Sequence, residues 1–239
     1  QAKNMIKSCN ENDVKLFVVK QNRYNKTLVK LKKSIEEKRF GQLRLISVNV
    51  FWHRDQNYYD QAPWRGTIKY DGGALMNQAS HYVDLLIWLF GPIKNVHAFS
   101  TKARKIEAED TIVLNIEFEN RSLGSMCVTM LTYDQNLEGS LTVMGDKGTV
   151  KVGGKAVNEI EHWNFDSDSP NDNDIRNVNY KINDIYGKGH IQFYEEVYKS
   201  MNNEKSEITR GEDGLKSLEV ILAAYESVIK REIIPLPLS

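Results

Sequence analysis

The sequence predicts an α+β fold, a large and mostly antiparallel open sheet flanked by helices. Three observations lead there: helical periodicity over residues 2–12, 25–38, 190–201 and 214–231, period-two alternation over much of 95–165, and turn signals that join the alternating runs into hairpins. Residues 2–12 are helical in pattern, with Met5 and Ile6 apolar, and Asn10 to Asp13 form a stop. The run VKLFVV, residues 14–19, reads as a short buried strand, so that helix and strand make one αβ unit of the kind that ends a doubly wound domain. An amphipathic helix spans 25–38, and a strand with period-two alternation spans 43–51. Residues 52–71, WHRDQNYYDQAPWRGTIKYD, form an aromatic and charged loop. From Gly72-Gly73 the stretch ALMNQASHYVDLLIWLF reads as one long helix, closed by the strong stop Gly91-Pro92.

After that helix the chain turns β. Residues 95–101 form one strand; Ile112, Leu114, Ile116 and Phe118 alternate with polar neighbours in the next. Asn120-Arg121-Ser122 then turns the chain, and Gly124, Met126, Val128 and Met130 share a face on the return. Residues 141–144 and 149–152 flank Gly145-Asp-Lys-Gly148, a second hairpin signal, and 157–165 add a further strand. DSDSPNDND, residues 166–174, is turn-rich and reads as a surface loop. Helices return at 190–201 and 214–231, the second with Leu215, Leu218, Leu222, Tyr225 and Ile229 along one apolar stripe. The domain boundary falls near residue 24: residues 1–24 as the end of a first domain, 25–239 as a second.

Composition narrows the class. At 41% hydrophobic and 27% charged residues, the 239-residue chain can bury an ordinary globular core. Its 32 basic and 32 acidic residues cancel, which gives no electrostatic footprint for nucleic acid or an anionic membrane. The basic stretch from Lys26 to Lys33 carries Leu28, Val29 and Leu31 at helical spacing and reads as a solvated helix face. Cys9 and Cys127 belong to no CxxC or Cys/His cluster, so neither a disulfide framework nor a metal site is expected, and a reducing cytoplasm is the default setting. No apolar run reaches the length of a bilayer span. The chain opens at Gln1 with no signal peptide, and it reads as a fragment.

Chemistry concentrates between residues 72 and 91. On a helix, Asn77 and His81 share a face, and Asp84 lies one turn on, which sets an imidazole between an amide and a carboxylate. A neutral imidazole so oriented can take the proton of a substrate hydroxyl as hydride leaves to a nicotinamide. Residue types alone favour a satisfied structural histidine, because single histidines on helices are common. Trp52, Arg54, Tyr58, Tyr59, Trp64 and Arg65 lie close together in the loop; guanidinium forks among aromatic faces suit a ligand with a ring and an anionic group, or simply pack on the sheet. Arg23, in the QNRYN run behind the first strand, sits where open α/β sheets bind ligands, or forms a structural ion pair. No GxGxxG follows a strand, and P-loop, GxSxG and HExxH motifs are absent.

At GGALMNQASHYVDLLIWLFGP the sequence resembles the central helix of the Gfo/Idh/MocA oxidoreductases. KLFVVKQNRYN, VNVFWHRDQNYYDQAPWRGT, IEAEDT, GSLTVMGDKGTVKVGG and GHIQFYEEV extend the resemblance over nearly the whole chain. More narrowly, WRGT followed by GGALMNQASH is similar to dehydrogenases of UDP-N-acetylglucosaminuronic acid. The resemblance implies oxidation of a sugar C3 hydroxyl with NAD or NADP, in the synthesis of aminouronic acids for bacterial surface polysaccharides such as lipopolysaccharide. It implies a homo-oligomer, dimer or tetramer, built through the sheet. It places His81 on the family's catalytic histidine and Asn77, the second expected catalytic residue, where the family often carries an aspartate, a departure that agrees with the sugar-uronate subgroup. Arg23, Trp64, Arg65, Asn77, Gln78 and Ser80 become expected contacts to the nucleotide sugar or the nicotinamide side of the cleft. The resemblance also implies that the cofactor fingerprint and a Glu-Lys-Pro motif, whose lysine pairs with the histidine, lie upstream of Gln1, so tight NAD binding to the chain alone is not expected. A second reading, from another class, is a non-catalytic oligomerisation or ligand-binding module, with the face of the strands from Thr111 to Val152 buried against a partner.

Overall fold

The computed structural model describes residues 1–182 and 188–238. Helix α1 (Ala2–Glu11) and α2 (Lys26–Glu36) precede β1 (Leu43–Phe51); α3 (Gln56–Asp60) and α4 (Ser80–Phe90) lie between β1 and β2 (Ile93–Thr101). Then follow β3 (Thr111–Phe118), β4 (Leu123–Thr129), β5 (Glu138–Gly145), β6 (Gly148–Gly153), β7 (Glu159–Phe165), α5 (Gly189–Met201), α6 (Gly211–Lys230) and the short β8 (Ile234–Pro235). The eight strands form one sheet in the order β7-β6-β5-β1-β4-β3-β2-β8. Every neighbouring pair is antiparallel except β1 and β4, which run parallel from Leu45 opposite Leu123 to Phe51 opposite Thr129. The α+β class and the mostly antiparallel sheet are as the periodicity predicts, and both hairpins fall at the anticipated turns.

Alternation decides the layers. Ile46, Val48 and Val50 of β1 point into the core with Ile112, Leu114 and Ile116 of β3, and all are buried. Helices α2, α4 and α6 cover that face, through residues such as Leu28, Leu31, Leu85, Leu86, Val220 and Ile221. Fully burying each such side chain contributes roughly 2 kcal/mol, so the one covered face supplies most of the favourable free energy of folding. On the opposite face, Leu45 is in register with Leu123 on one side and Met144 on the other, and all three are exposed. Among the described residues no helix is long and apolar enough to cross a membrane.

Five local expectations are corrected. Residues 14–19 are extended but form no strand: the only pairing is an isolated bridge between Phe17 and Arg210, with the Val18 N–H donating to Thr209 O at 3.0 Å. A strand needs a ladder neighbour, and this stretch instead lays Leu16 and Val18 against Gly211 and Gly214 of α6, leaving Val14 and Val19 exposed. The charged loop 52–71 contains α3, whose first turn is capped by the Asp55 carboxylate accepting from the Tyr58 N–H at 2.8 Å. On α6 the buried face is not the leucine stripe. Ser217, Val220, Ile221, Ala223, Ala224 and Ser227 face inward, while Leu222 and Ile229 are 44% and 82% exposed. The helix crosses β2 and α4 closely, and small side chains permit that approach. Residues 166–174 are partly built into the fold: Asn171 is buried, and Asp172 pairs with Arg39 at 2.6 Å while accepting from Trp163 Nε1 at 2.6 Å. The fifth correction, to the helix beginning at Gly72, shapes the site.

Candidate active site

Gly72 and Gly73 take φ of +80° and +100°, the region that favours glycine. The backbone then enters a π turn, Ala74–Gln78, closed by the Ala79 N–H donating to Ala74 O at 3.0 Å. Regular α-helix begins only at Ser80. One continuous helix would place Asn77 beside His81; the π turn, a feature common at functional sites, separates their partners. Asn77 Nδ2 donates to Asp71 Oδ1, and Asp71 Oδ2 accepts from the Gly66 N–H at 2.6 Å. Asp84 faces Arg23 in a two-point ion pair, Nε to Oδ2 at 2.8 Å and Nη2 to Oδ1 at 2.7 Å. The pair is buried, the side chains being 14% and 2% exposed. His81 thus lies between two side chains that are each bonded elsewhere, and among the described residues its buried Nδ1 has no partner.

Burial, and then the nearby Lys20 ammonium, push the His81 imidazole down to about 4 from the ordinary 6.5; Asp84 opposes them. The ring is therefore neutral at physiological pH and free to accept a proton. Lys20 was not among the residues singled out from sequence. It is buried, and burial lowers its pKa, with Asp84 acting to raise it and Arg23 to lower it. Its sequence signal was slight, a single lysine directly behind the apolar run of residues 16–19.

The cleft above His81 has a volume of about 390 Å³ and is lined by Gln21, Asn22, Trp52, Arg54, Tyr58, Trp64, Arg65, Asn77, Gln78, His81 and Tyr82. It stands at the carboxyl end of β1, where Trp52 and Arg54 continue the strand by donating backbone N–H groups to Thr129 O and Met130 O, each at 2.9 Å. The two arginines flank Tyr58: the Arg65 guanidinium lies 4.2 Å and that of Arg54 5.1 Å from its ring centre. Arg54 Nη2 donates to Gln78 Oε1 at 2.8 Å, and Arg65 Nη1 to Tyr58 O at 2.7 Å. Among the described residues neither arginine is paired with a carboxylate, and the Nε of each is buried without a partner. Fixed cationic forks on an aromatic wall, close to a neutral imidazole, suit an anionic ligand that presents a hydroxyl.

Of the residues expected at the site, Trp64, Arg65, Asn77, Gln78 and His81 line this one cleft. Arg23 and Ser80 do not, and the fork of Arg23 is occupied by Asp84. Residues 32–237 match the C-terminal α/β domain model of the oxidoreductase family. The chain belongs to the Gfo/Idh/MocA oxidoreductase family. All of it superposes on the WlbA dehydrogenase from Bordetella pertussis, solved with NADH and UDP-GlcNAcA, at 51% identity and a TM-score of 0.96, spanning 69% of that chain. The WlbA dehydrogenase from Chromobacterium violaceum, solved with the same two ligands, is 49% identical with a TM-score of 0.93, and 67% of it is covered. An uncharacterized oxidoreductase of Synechocystis is 26% identical over 135 residues, which are 51% of this chain and 36% of that protein. The eight-stranded sheet is the one this Gfo/Idh/MocA domain is expected to have, and the family assignment agrees with the resemblance seen in the helix at Gly72.

Proposed function

We propose that the protein to which this chain belongs is an NAD-dependent dehydrogenase acting on a UDP-linked N-acetylamino uronic acid, oxidising a ring hydroxyl, at C3, on the way to a surface polysaccharide. The observation that carries the reading is the cleft itself: His81, held neutral by burial, shares about 390 Å³ with two arginines that have no carboxylate partner among the described residues. The similarity to two dehydrogenases solved with NADH and UDP-GlcNAcA supports the ligand class.

Each residue has a part that follows from its surroundings. Arg54 and Arg65, stacked on Tyr58 and held by Gln78 and the Tyr58 carbonyl, bind the sugar carboxylate or the diphosphate. Asn77 and Gln78 offer amides to sugar hydroxyls, and Trp64 a ring face. His81 accepts the proton of the hydroxyl being oxidised; with a pKa of about 4 it gives that proton up readily, so it acts as a relay and not as a resting store. Arg23 anchors α4 through Asp84, three residues beyond His81, and so fixes the helix that carries the imidazole. Nicotinamide dinucleotide, when bound, supplies the hydride acceptor. No glycine-rich strand-to-helix turn for a pyrophosphate occurs in this sequence, and the chain spans 69% of the Bordetella WlbA chain, so we assign that site to a part of the protein outside this chain. The exposed row of Leu45, Leu123 and Met144, with Phe99 and Val113 further along the same open sheet, is the surface through which we propose that copies associate. In the full-length enzyme His81→Asn is expected to lower kcat by roughly 100-fold or more; unaltered turnover would sink the assignment.

A further inference from the structure

Behind the cleft, a hydrogen-bond cluster holds the start of the π turn, and with Glu109 ionised its one phenol proton faces two acceptors. The Tyr225 hydroxyl of α6 lies 2.6 Å from Gly72 O and 3.0 Å from Glu109 Oε1, and it accepts from the Met76 N–H at 3.2 Å. Glu109 Oε1 also accepts from the Leu75 N–H at 2.9 Å, and the Glu109 carbonyl from the Ala74 N–H at 3.1 Å. Both oxygens near the phenol are acceptors when Glu109 is ionised, yet a phenol carries a single proton. The shorter contact, to Gly72 O, takes that proton. The contact to Glu109 is then a hydrogen bond only if the carboxyl supplies its own, after which the phenol oxygen donates once and accepts twice and is saturated.

We infer that Glu109 is a positioning residue: in its protonated form it closes, with Tyr225, a clamp over residues 72–76 that sets the orientation of Asn77, Gln78 and His81. The role deepens the reading of the cleft as the nucleotide-sugar site and rests on it. Surroundings supply the reason for protonation. Burial raises the Glu109 pKa to about 7, against the opposing backbone N–H groups of Leu75 and Glu109 itself and the Tyr225 hydroxyl. Asp71, from the turn before Gly72, adds to the rise. The adjacent Asp110 turns away, its Oδ2 accepting from the Ala103 and Arg104 N–H groups at 2.8 Å. The fit leaves no slack, for a Cβ on Gly73 would lie 1.8 Å from Glu109 Oε2.

If the clamp needs the proton, a pKa of about 7 leaves it closed in about nine-tenths of molecules at pH 6 and about one-tenth at pH 8, so the apparent Kd for a ligand of the clamped form rises roughly tenfold. The test measures UDP-GlcNAcA binding to the chain by calorimetry from pH 6 to 8, with carboxyl-carbon and His81 ring-proton NMR titrations alongside. Wild type is expected to show the tenfold weakening. Glu109→Gln, which keeps a donor and an acceptor, is expected to bind within about threefold of the pH 6 value at every pH, and Glu109→Ala to bind roughly tenfold or more weakly throughout. Glutamine as damaging as alanine, or a pH slope that survives in Glu109→Gln, overturns the inference. Absence of UDP-GlcNAcA binding by wild type at every pH counts against the proposed ligand instead. The NMR readout then decides the clamp alone: a His81 shift that follows the carboxyl titration near pH 7 supports it, and an indifferent His81 refutes it.

Discussion

Two perturbed groups on either side of the π turn carry opposite pH dependences, and their cancellation can be measured. His81 titrates at about 4 in the fold against 6.5 when unperturbed, and Glu109 at about 7 against 4.5. A histidine with a depressed folded pKa contributes stability that is present above 6.5 and lost as pH falls toward 4. A carboxyl with a raised folded pKa contributes stability that is present below 4.5 and lost as pH rises toward 7. Between pH 4.5 and 6.5 the folded chain therefore holds a proton on Glu109 and none on His81, whereas the unfolded chain holds the reverse. Proton uptake from this pair is equal in the two states, and the two slopes, each about 1.36 kcal/mol per pH unit, offset. Removing either partner exposes the other. Urea denaturation of wild type, His81→Asn and Glu109→Gln at half-unit steps from pH 4 to 7.5 gives the relevant differences. Wild type should gain roughly 3 kcal/mol on His81→Asn as pH rises from 4 to 6.5, and lose roughly 3 kcal/mol relative to Glu109→Gln as pH rises from 4.5 to 7. Two flat differences, or two slopes of the same sign, refute the reasoning.

Arg23→Met strands the Asp84 carboxylate in a site where its side chain is 2% exposed, and should cost roughly 3–5 kcal/mol, a fall in Tm of roughly 10 °C. The double variant Arg23→Met/Asp84→Leu should recover most of that loss, and a single variant within about 2 °C of wild type would return Arg23 to the substrate contacts. Gly73→Ala should cost roughly 3 kcal/mol or prevent folding, because φ is +100° and the new Cβ meets Glu109 at 1.8 Å. Gly91→Ala is the control: φ is +89° but no atom lies within 4 Å, so scanning calorimetry should show only the backbone penalty of roughly 1–2 kcal/mol.

Periodicity made most of the sheet legible. Alternation marks strands β1 to β7 because one face of an open sheet is covered and the other is not, and β1 falls on the residues expected of it, Leu43–Phe51. The apolar run at 14–19 misled for a physical reason: hydrophobicity reports burial, not pairing, and Leu16 and Val18 are half-buried by packing on α6 with one backbone hydrogen bond from Val18. The leucine stripe of α6 misled in the opposite sense, since a close crossing selects serine and alanine for the inner face. At the site, helical spacing brought Asn77 and His81 to attention, and the family resemblance added Gln78. It could not show the π turn, which depends on Gly72-Gly73 conformations held by Glu109 and Tyr225, residues 37 and 153 positions beyond Gly72 in the chain. Lys20 and Glu109 escaped notice because a single lysine and one glutamate of the acidic run EAED look solvated until burial is known.

The supports of the His81 segment come from three distant stretches and one adjacent residue: Glu109 ahead of β3 and Tyr225 on α6 at its start, Arg23 near its end, and neighbouring Asp71 in its middle. Every one of those supporting side chains is hydrogen-bonded within the fold. The buried side-chain atoms left without partners distribute differently. Of nine such atoms among the described residues, five belong to cleft-lining residues: Gln21 Oε1, Arg54 Nε, Arg65 Nε, His81 Nδ1 and the Tyr82 hydroxyl. An unpaired buried polar atom costs about 1–3 kcal/mol, and folds retain few of them. A random scatter of such atoms would not collect around one cleft of about 390 Å³. Pairing that is complete behind the cleft and incomplete along it is what a rigid frame gives when its remaining donors and acceptors await a polar ligand. The π turn and the positive-φ glycines belong to the frame, and the unsatisfied histidine and arginines to the face it presents.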